Sequence, residues 1–246
     1  MAEPGPERLE RGDVFFFYRP KVEQQEAHGI DDVQRFQMVL RVAGGRLHRM
    51  LTIGRKHMPN LQTHEREWGF VDLVTEDAAA VADALKAATY ETKTRGVRHL
   101  AAARPAGEGA YALQRDGRNL LLAYRLELPT ELGPVQQELR IAQEAAYVVA
   151  MKNPEVPNPP QIGLREGDRV DYPKAEQSEF HGTSWSAPDK HLLDFERAEF
   201  VLVGATDHPE AAPAERTEPT PEAVLRRLKL SPRDTPLQPL TEGAWA

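Results

Sequence analysis

Residues 13–19 read Asp-Val-Phe-Phe-Phe-Tyr-Arg, and Pro20 ends this run. Consecutive aromatic residues favour an extended strand, and the run leaves no polar face for solvent. A strand without a polar face is covered on both sides by other parts of the fold. We therefore expect this strand in the core, with neighbouring elements packed against each of its faces.

Two β-hairpins are predicted where a glycine-containing turn separates two apolar runs, a pattern typical of antiparallel strands. The turns are Gly44-Gly45 and Asp116-Gly117. The paired runs are residues 36–42 with 46–53, and 110–114 with 119–128. Three further strands are predicted at residues 68–74, 145–152 and 200–205.

One main helix is predicted at residues 78–90, because this segment is rich in alanine and follows the helix-start residues Thr75-Glu76-Asp77. Residues 92–109 contain three glycines and one proline, which predicts a loop. About eight strands with one main helix indicate an α+β fold. We expect a mainly antiparallel or mixed sheet that is rolled or sandwich-like.

The composition divides the chain into three parts. Residues 1–12 are charged and Pro-rich, and we expect them to be flexible. Residues 13–205 are expected to form a single domain. Residues 206–246 are rich in Pro, Glu, Thr and Ala, which predicts a disordered tail. Within the tail, residues 221–230 have the pattern of a short helix, which either docks on a protein partner or forms only transiently.

The composition also excludes several classes of protein. Cysteine is absent, so the chain has no disulfide framework, thiol nucleophile or Cys-ligated zinc. The first residues lack the apolar core of a signal peptide, and no apolar run approaches the length of a membrane span. We expect a cytoplasmic protein without membrane contact. The net charge of -7 argues against a general nucleic-acid coat, although a local basic site is compatible with it.

A local excess of basic residues marks the candidate binding site. Residues 92–107 contain four Arg or Lys side chains and one His but no acid. Basic side chains beside glycines and threonines suit phosphate binding, whereas the alternative is a solvated loop held by local ion pairs. The predicted ligand-binding residues are Arg19, Lys21, Arg55, Lys56, Lys93, Arg95, Arg98 and Arg104.

Catalytic and metal-binding patterns are weak. No serine lies in a GxSxG motif. The candidate acid–base residues are His99 and His28, with Glu108 as a group that could orient His99. Glu26, His28 and Asp31 are of metal-ligand type but lie in one short segment without a paired His motif. We therefore expect no metal site and no cofactor.

Several long motifs resemble an uncharacterised family found in bacteria and plants, whose plant members carry names such as "ethylene-regulated nuclear protein-like". The motifs include GDVFFFYRPKVEQQEAHGIDDVQRF, IGRKHMP, WGFVDLV, YETKTRGVRHLAAARPAGEGAYAL and DFERAEFVLVGA. The resemblance covers roughly residues 10–205. Where the family has Pro-Ala-Arg, this chain has Ala102-Ala103-Arg104. The plant name suggests contact with nucleic acid, but the family brings no stated activity.

Three functions remain open. The leading hypothesis is a non-enzymatic binding module, whose basic face binds nucleic acid or a phosphorylated small molecule. The second is an enzyme that acts on an anionic small molecule, with a histidine as acid or base and arginines that hold the substrate. The third is a protein-interaction scaffold that uses the helix at 221–230. Convergence of Arg19, Arg55, Arg95 and Arg98 around a His-containing pocket would favour the enzyme, and an open groove with exposed aromatic residues would favour nucleic acid. The aromatic residues considered for base stacking are Tyr18, Trp68, Tyr90 and Trp185, and the alternative for each is a place in the core.

Overall fold

The computed structural model of the chain describes residues 6–94, 96–186, 189–206 and 220–246. The strands in these ranges are β1 (Glu7–Pro20), β2 (Val33–Val42), β3 (His48–Ile53), β4 (Arg66–Thr75), β5 (Ala88–Thr92), β6 (Gly96–Leu100), β7 (Arg104–Asp116), β8 (Asn119–Leu128), β9 (Glu144–Lys152), β10 (Trp185–Ser186) and β11 (Glu199–Thr206). The α-helices are α1 (Ala78–Leu85), α2 (Pro134–Glu138), α3 (Lys174–Ser178), α4 (Pro221–Arg227) and α5 (Gln238–Thr241).

Eight strands form a closed antiparallel barrel. Their order is β1, β2, β3, β4, β11, β9, β8 and β7, and β7 pairs again with β1. The sheet is therefore antiparallel and rolled, which confirms that part of the predicted fold class. The short strand β10 pairs with the end of β9, and β5 with β6 forms a separate two-stranded sheet. Closure leaves no free edges along the barrel.

Strand β1 is covered on both faces, as its sequence predicts. Val14, Phe16 and Tyr18 belong to a buried cluster with alternate residues of the other barrel strands, so they fill the barrel interior. Phe15 and Phe17 point outward and are equally buried, in a second cluster formed with α1 and the C-terminal helices. The run therefore has two apolar faces because it separates two cores.

The predicted main helix is shorter than expected. α1 ends at Leu85, and residues 88–100, predicted as the end of the helix and part of a loop, form the β5–β6 hairpin instead. The guanidinium of Arg19 donates to the carbonyl oxygens of Ala84 and Lys86, at 2.7 and 3.1 Å. These carbonyls lie at the end of the helix, so a side chain distant in sequence satisfies them. Residues 104–109, also predicted as loop, belong to β7.

The single main helix and the disordered tail are not confirmed. Residues 220–246 pack against the barrel, and α4 lies within the helix predicted at 221–230. Its residues Val224 and Leu228 are fully buried against the outer face of β1. Residues 207–219 lie outside the described residues. At the other end, β1 begins at Glu7, inside the segment predicted to be flexible, because residues 7–12 pair with β7.

One end of the barrel contains a buried ion-pair network. Arg49 of β3 is fully buried, and it pairs with Glu10 of β1 at 2.6 Å and with Asp194 at 2.6 Å. Tyr111 and Lys190 also donate to Glu10. Burial opposes ionisation of Glu10, but the hydrogen bonds from Arg49, Tyr111 and Lys190 hold its pKa below its usual value. Among the described residues, no helix has the length and apolarity that crossing a membrane requires.

Candidate functional site

Two of the predicted ligand-binding arginines are buried and bonded to backbone. Arg19 is 5% exposed and donates to three carbonyl oxygens, including that of Ala101 at 2.5 Å. Arg104 is 6% exposed and donates to the carbonyl oxygens of Ala102 and Gln25. These hydrogen bonds hold loops and the end of a helix in place. Both guanidinium groups therefore serve contacts within the fold.

Lys21 and Arg98 lie together beside the β5–β6 hairpin. They line a shallow depression of about 380 Å³ with Val22, Gln34, Tyr90 and Thr92. Arg98 Nε is 3.3 Å from a carboxylate oxygen of Glu23, so part of its charge is compensated. Lys93 is exposed near the turn of the same hairpin. Arg95 lies outside the described residues.

Arg55 and Lys56 follow β3 and do not line this depression. Lys56 Nζ donates to the carbonyl oxygen of Val33 at 2.6 Å. Arg55 is mostly exposed and lies 3.5 Å from Glu65 and 3.6 Å from Glu67. Of the predicted basic face, two arginines are therefore buried, and Lys21 and Arg98 line one depression that Arg55 and Lys56 do not line.

The candidate acid–base residues lie on three different parts of the fold. His99 is exposed on β6, where its ring lies 3.4 Å from the hydroxyl of Thr89. His28 is exposed in the loop after β1, and its backbone amide donates to Asp32. Glu108 of β7 is fully buried, with the guanidinium of Arg227 2.6 Å away. Glu108 thus helps to hold α4 on the barrel.

A larger cleft lies where β3 and β4 meet the loop of residues 159–164 and β10. Its volume is about 650 Å³. The lining residues are Gly54, Arg55, Arg66, Glu67, Trp68, Gly69, Phe70, Pro159, Gln161, Ile162, Gly163, Leu164, Trp185 and Val201. This size is within the range of pockets that bind small molecules. We call it the tryptophan cleft, after Trp68 and Trp185.

Exposed apolar side chains mark the tryptophan cleft. The indole rings of Trp68 and Trp185 lie edge to face, with centroids 5.3 Å apart. Trp185 is 38% exposed and Ile162 is 43% exposed. Large apolar side chains left open in one concave place are typical of a ligand site. The remaining exposed large apolar residues in the described ranges, Tyr90 and Val97, lie on the β5–β6 hairpin.

Glu199 holds the wall of the tryptophan cleft. This residue of β11 is 2% exposed. Its carboxylate accepts hydrogen bonds from Trp68 Nε1 at 3.0 Å, the backbone amide of Leu164 at 2.6 Å and Asn158 Nδ2 at 3.0 Å. Gly163 has φ +79°, and a Cβ there would lie 2.2 Å from Glu199 Oε1. The loop can approach the carboxylate this closely only with glycine at that position.

We expect Glu199→Gln to lower the free energy of unfolding by about 1–3 kcal/mol, because the amide NH₂ of glutamine faces donors that need an acceptor. The indole of Trp68 should also lose its fixed position, so tryptophan emission should shift to the red. Thermal melting and fluorescence of the variant measure both effects. Glu196→Gln is the control, because Glu196 lies on the connection that leads into β11 and its exposed carboxylate accepts a hydrogen bond from the backbone amide of Val74. Unchanged stability and emission in Glu199→Gln would show that the carboxylate does not hold the loop.

A cluster of ionisable groups adjoins the tryptophan cleft. Burial raises the pKa of Glu67 to about 7. Burial also lowers the pKa of His57 below its usual value, which favours the neutral imidazole. The two side chains approach to 3.9 Å between His57 Nδ1 and Glu67 Oε1. Perturbed pKa values beside a cleft are typical of functional sites.

The sequence reasoning identified Arg55 and the two tryptophans but missed the other principal residues of the tryptophan cleft. The missed residues are Arg66, Glu67, Ile162 and Glu199. Glu67 carried a usable signal, because in β4 it alternates in phase with Val71, a core residue. A carboxylate that alternates in phase with a core residue is expected to be buried. Burial of a charge is costly unless the charge is paired or coordinates a metal, so such a residue is a candidate for a site.

Tyr18 and Tyr90, the other aromatic residues considered as base-stacking candidates, lie away from this pair. Tyr18 is buried in the barrel and packs on Trp245, and Tyr90 lies on the hairpin. The tryptophan cleft is thus the place where exposed rings, cationic side chains and buried carboxylates occur together. No protein-family model, curated protein or solved structure matches this chain.

Proposed function

We propose that this chain is a non-enzymatic binding module, and that its tryptophan cleft binds a small molecule with a flat ring and an anionic group. The observation that carries the proposal is the placement of Trp68 and Trp185 beside Arg55 and Arg66 in one cleft. A phosphorylated compound with a heteroaromatic ring combines the two features. This ligand class is one of the two that the basic residues of the sequence suggest.

The ring of the ligand would lie against the indole of Trp185. This side chain is partly exposed, and the edge-to-face contact with Trp68 holds it in position. A ring that stacks on an indole gains about 1–3 kcal/mol, and the contact tolerates different bases. Ile162, on the opposite loop, supplies apolar surface that a ring would cover.

The anionic group would interact with Arg66 and Arg55. Both line the tryptophan cleft, and the side chain of Arg55 is 66% exposed. Arginine binds phosphate and carboxylate groups through paired hydrogen bonds. Because Glu65 and Glu67 already partly compensate Arg55, we assign Arg66 the larger share of the interaction.

Fluorescence titration tests the proposal with adenosine monophosphate, adenosine and inorganic phosphate as probes. The chain has three tryptophans, so Trp245→Phe removes the signal that does not come from the cleft. We expect the nucleotide to quench the remaining emission more strongly than the nucleoside or phosphate alone. Trp185→Ala should weaken binding roughly tenfold to hundredfold, and Arg66→Ala roughly tenfold or more.

Arg118→Ala is the matched control, because Arg118 is an exposed arginine of the β7–β8 turn. It should leave the affinity unchanged. Equal affinities for Trp185→Ala and the parent chain would refute the proposal. Loss of binding in Arg98→Ala, with no loss in Arg66→Ala, would instead locate the anion site at the depression lined by Lys21 and Arg98.

A further inference from the structure

Three metal-ligating side chains meet at the edge of the tryptophan cleft. His57 lies in the turn after β3, Glu65 immediately precedes β4, and Glu67 is in β4. One ligand atom from each lies within 4.8 Å of the others. In the described part of the chain, no other group of three such side chains approaches as closely. Neutral imidazole and carboxylate are both ligands of zinc and related divalent ions.

The spacing suits one ion after a small closure of the side chains. Bonds of about 2.1 Å to a tetrahedral zinc ion place the ligand atoms about 3.4 Å apart. His57 Nδ1 and Glu67 Oε1 are already 3.9 Å apart. The carbonyl oxygen of Met58 lies 3.0 Å from His57 Nδ1, so binding through this nitrogen would replace that contact.

Glu67 is a buried carboxylate that receives a backbone hydrogen bond from Arg55, but one of its oxygens has no hydrogen-bond partner among the described residues. Its side chain is 1% exposed, and within the described residues its Oε1 accepts no hydrogen bond. The closest cationic atom shown to face it is Arg55 Nη1 at 3.6 Å, which is too far for a strong hydrogen bond. Burial of a carboxylate oxygen without a hydrogen bond is costly, so the position beside Oε1 favours a further cation.

Glu65, the second carboxylate of this cluster, is held in place by hydrogen bonds to one of its oxygens. Its Oε2 accepts hydrogen bonds from Arg140 at 2.5 Å and from the backbone amide of Asn60 at 2.9 Å. Its Oε1 makes a loose contact with Arg55 Nη1 at 3.5 Å. Outer hydrogen bonds of this kind orient the ligands of protein-bound metals. Arg55 therefore occupies the position between two carboxylates that an ion would take.

We propose that His57, Glu65 and Glu67 bind one divalent metal ion of the zinc class, and that Arg55 moves outward when the ion enters. The side chain of Arg55 is 66% exposed, so it is free to turn towards solvent. Three protein ligands leave at least one coordination position open, as in sites where a metal also contacts a ligand or water. Because Glu67 lines the tryptophan cleft, the open position would face it.

The test is calorimetric titration of the full chain with zinc chloride, together with the visible absorption of the cobalt(II) form. We expect one equivalent of zinc to bind, and His57→Ala and Glu67→Gln should each weaken binding at least about tenfold. Arg55→Ala should strengthen zinc binding, because it removes the competing cation. The same variant should not strengthen nucleotide binding, so the two proposals can fail separately.

His64→Ala is the matched control, because His64 lies in the same connection but contacts the carbonyl oxygen of Gly204. It should bind zinc like the parent chain. Circular dichroism of each metal-free variant checks that it is folded, and the nearly isosteric Glu67→Gln decides the outcome if His57→Ala unfolds. Absence of zinc binding, or binding that persists in folded Glu67→Gln, would overturn the proposal.

Discussion

Removal of residues 220–246 is expected to lower the melting temperature by at least about 10 °C, which is roughly 3 kcal/mol for a chain of this length. The reason is that this segment covers the outer face of β1. Val224, Leu228 and Leu240 are fully buried in the cluster that contains Phe15 and Phe17. Without the segment, these phenylalanines would be exposed on the barrel, and the shortened chain should also bind a hydrophobic dye.

Single substitutions refine this test. Leu228→Ala should cost about 2–4 kcal/mol, because it leaves a cavity between α4 and the barrel. Arg226→Ala, on the exposed side of the same helix, should change the stability by less than about 0.5 kcal/mol. A shortened chain that melts within about 3 °C of the parent would show that the segment contributes little to the fold.

Arg49→Met is expected to destabilise the protein by about 3–5 kcal/mol, because it leaves a buried carboxylate without its main partner. Arg49 donates to both oxygens of Glu10, at 2.6 and 3.1 Å, and to Asp194. Thermal or urea unfolding measures the loss. The double variant Arg49→Met with Glu10→Gln should recover part of it, since the second substitution removes the unpaired charge. A double variant less stable than Arg49→Met would contradict this explanation.

The same network predicts a dependence on pH. The pKa of Glu10 in the folded chain lies below its ordinary value of 4.5, so the folded state binds its proton less readily than the unfolded state. The stability that Glu10 contributes is therefore present above pH 4.5 and is lost as the pH falls through the lower, folded value. Arg49→Met removes this contribution. The difference in stability between the parent and Arg49→Met should thus be smaller in acid than at pH 7.

Local patterns were informative where a strand could be recognised from neighbouring residues alone. The hairpins at Gly44-Gly45 and Asp116-Gly117 are present as β2–β3 and β7–β8. The predicted length of the helix after Asp77 was wrong. The carbonyl oxygens at the observed end of this helix accept hydrogen bonds from Arg19 of β1, which is distant in the sequence. Residues 220–246 were predicted to be disordered because the surface that they cover belongs to β1, which is also distant in the sequence. Their few apolar residues are sufficient only because Phe15 and Phe17 provide a surface to cover.

The sequence by itself determined that β1 lies between two apolar layers, since a run of Val14, Phe15, Phe16, Phe17 and Tyr18 offers solvent no polar face. It also determined the antiparallel hairpins, because turn residues and alternation act over a few positions. The tertiary structure alone decided which charged residues share a surface. Glu67 meets His57, and Trp68 meets Trp185 and Glu199, only after the strands close into a barrel. Burial and electrostatic pairing depend on distance in space, which residue order does not specify.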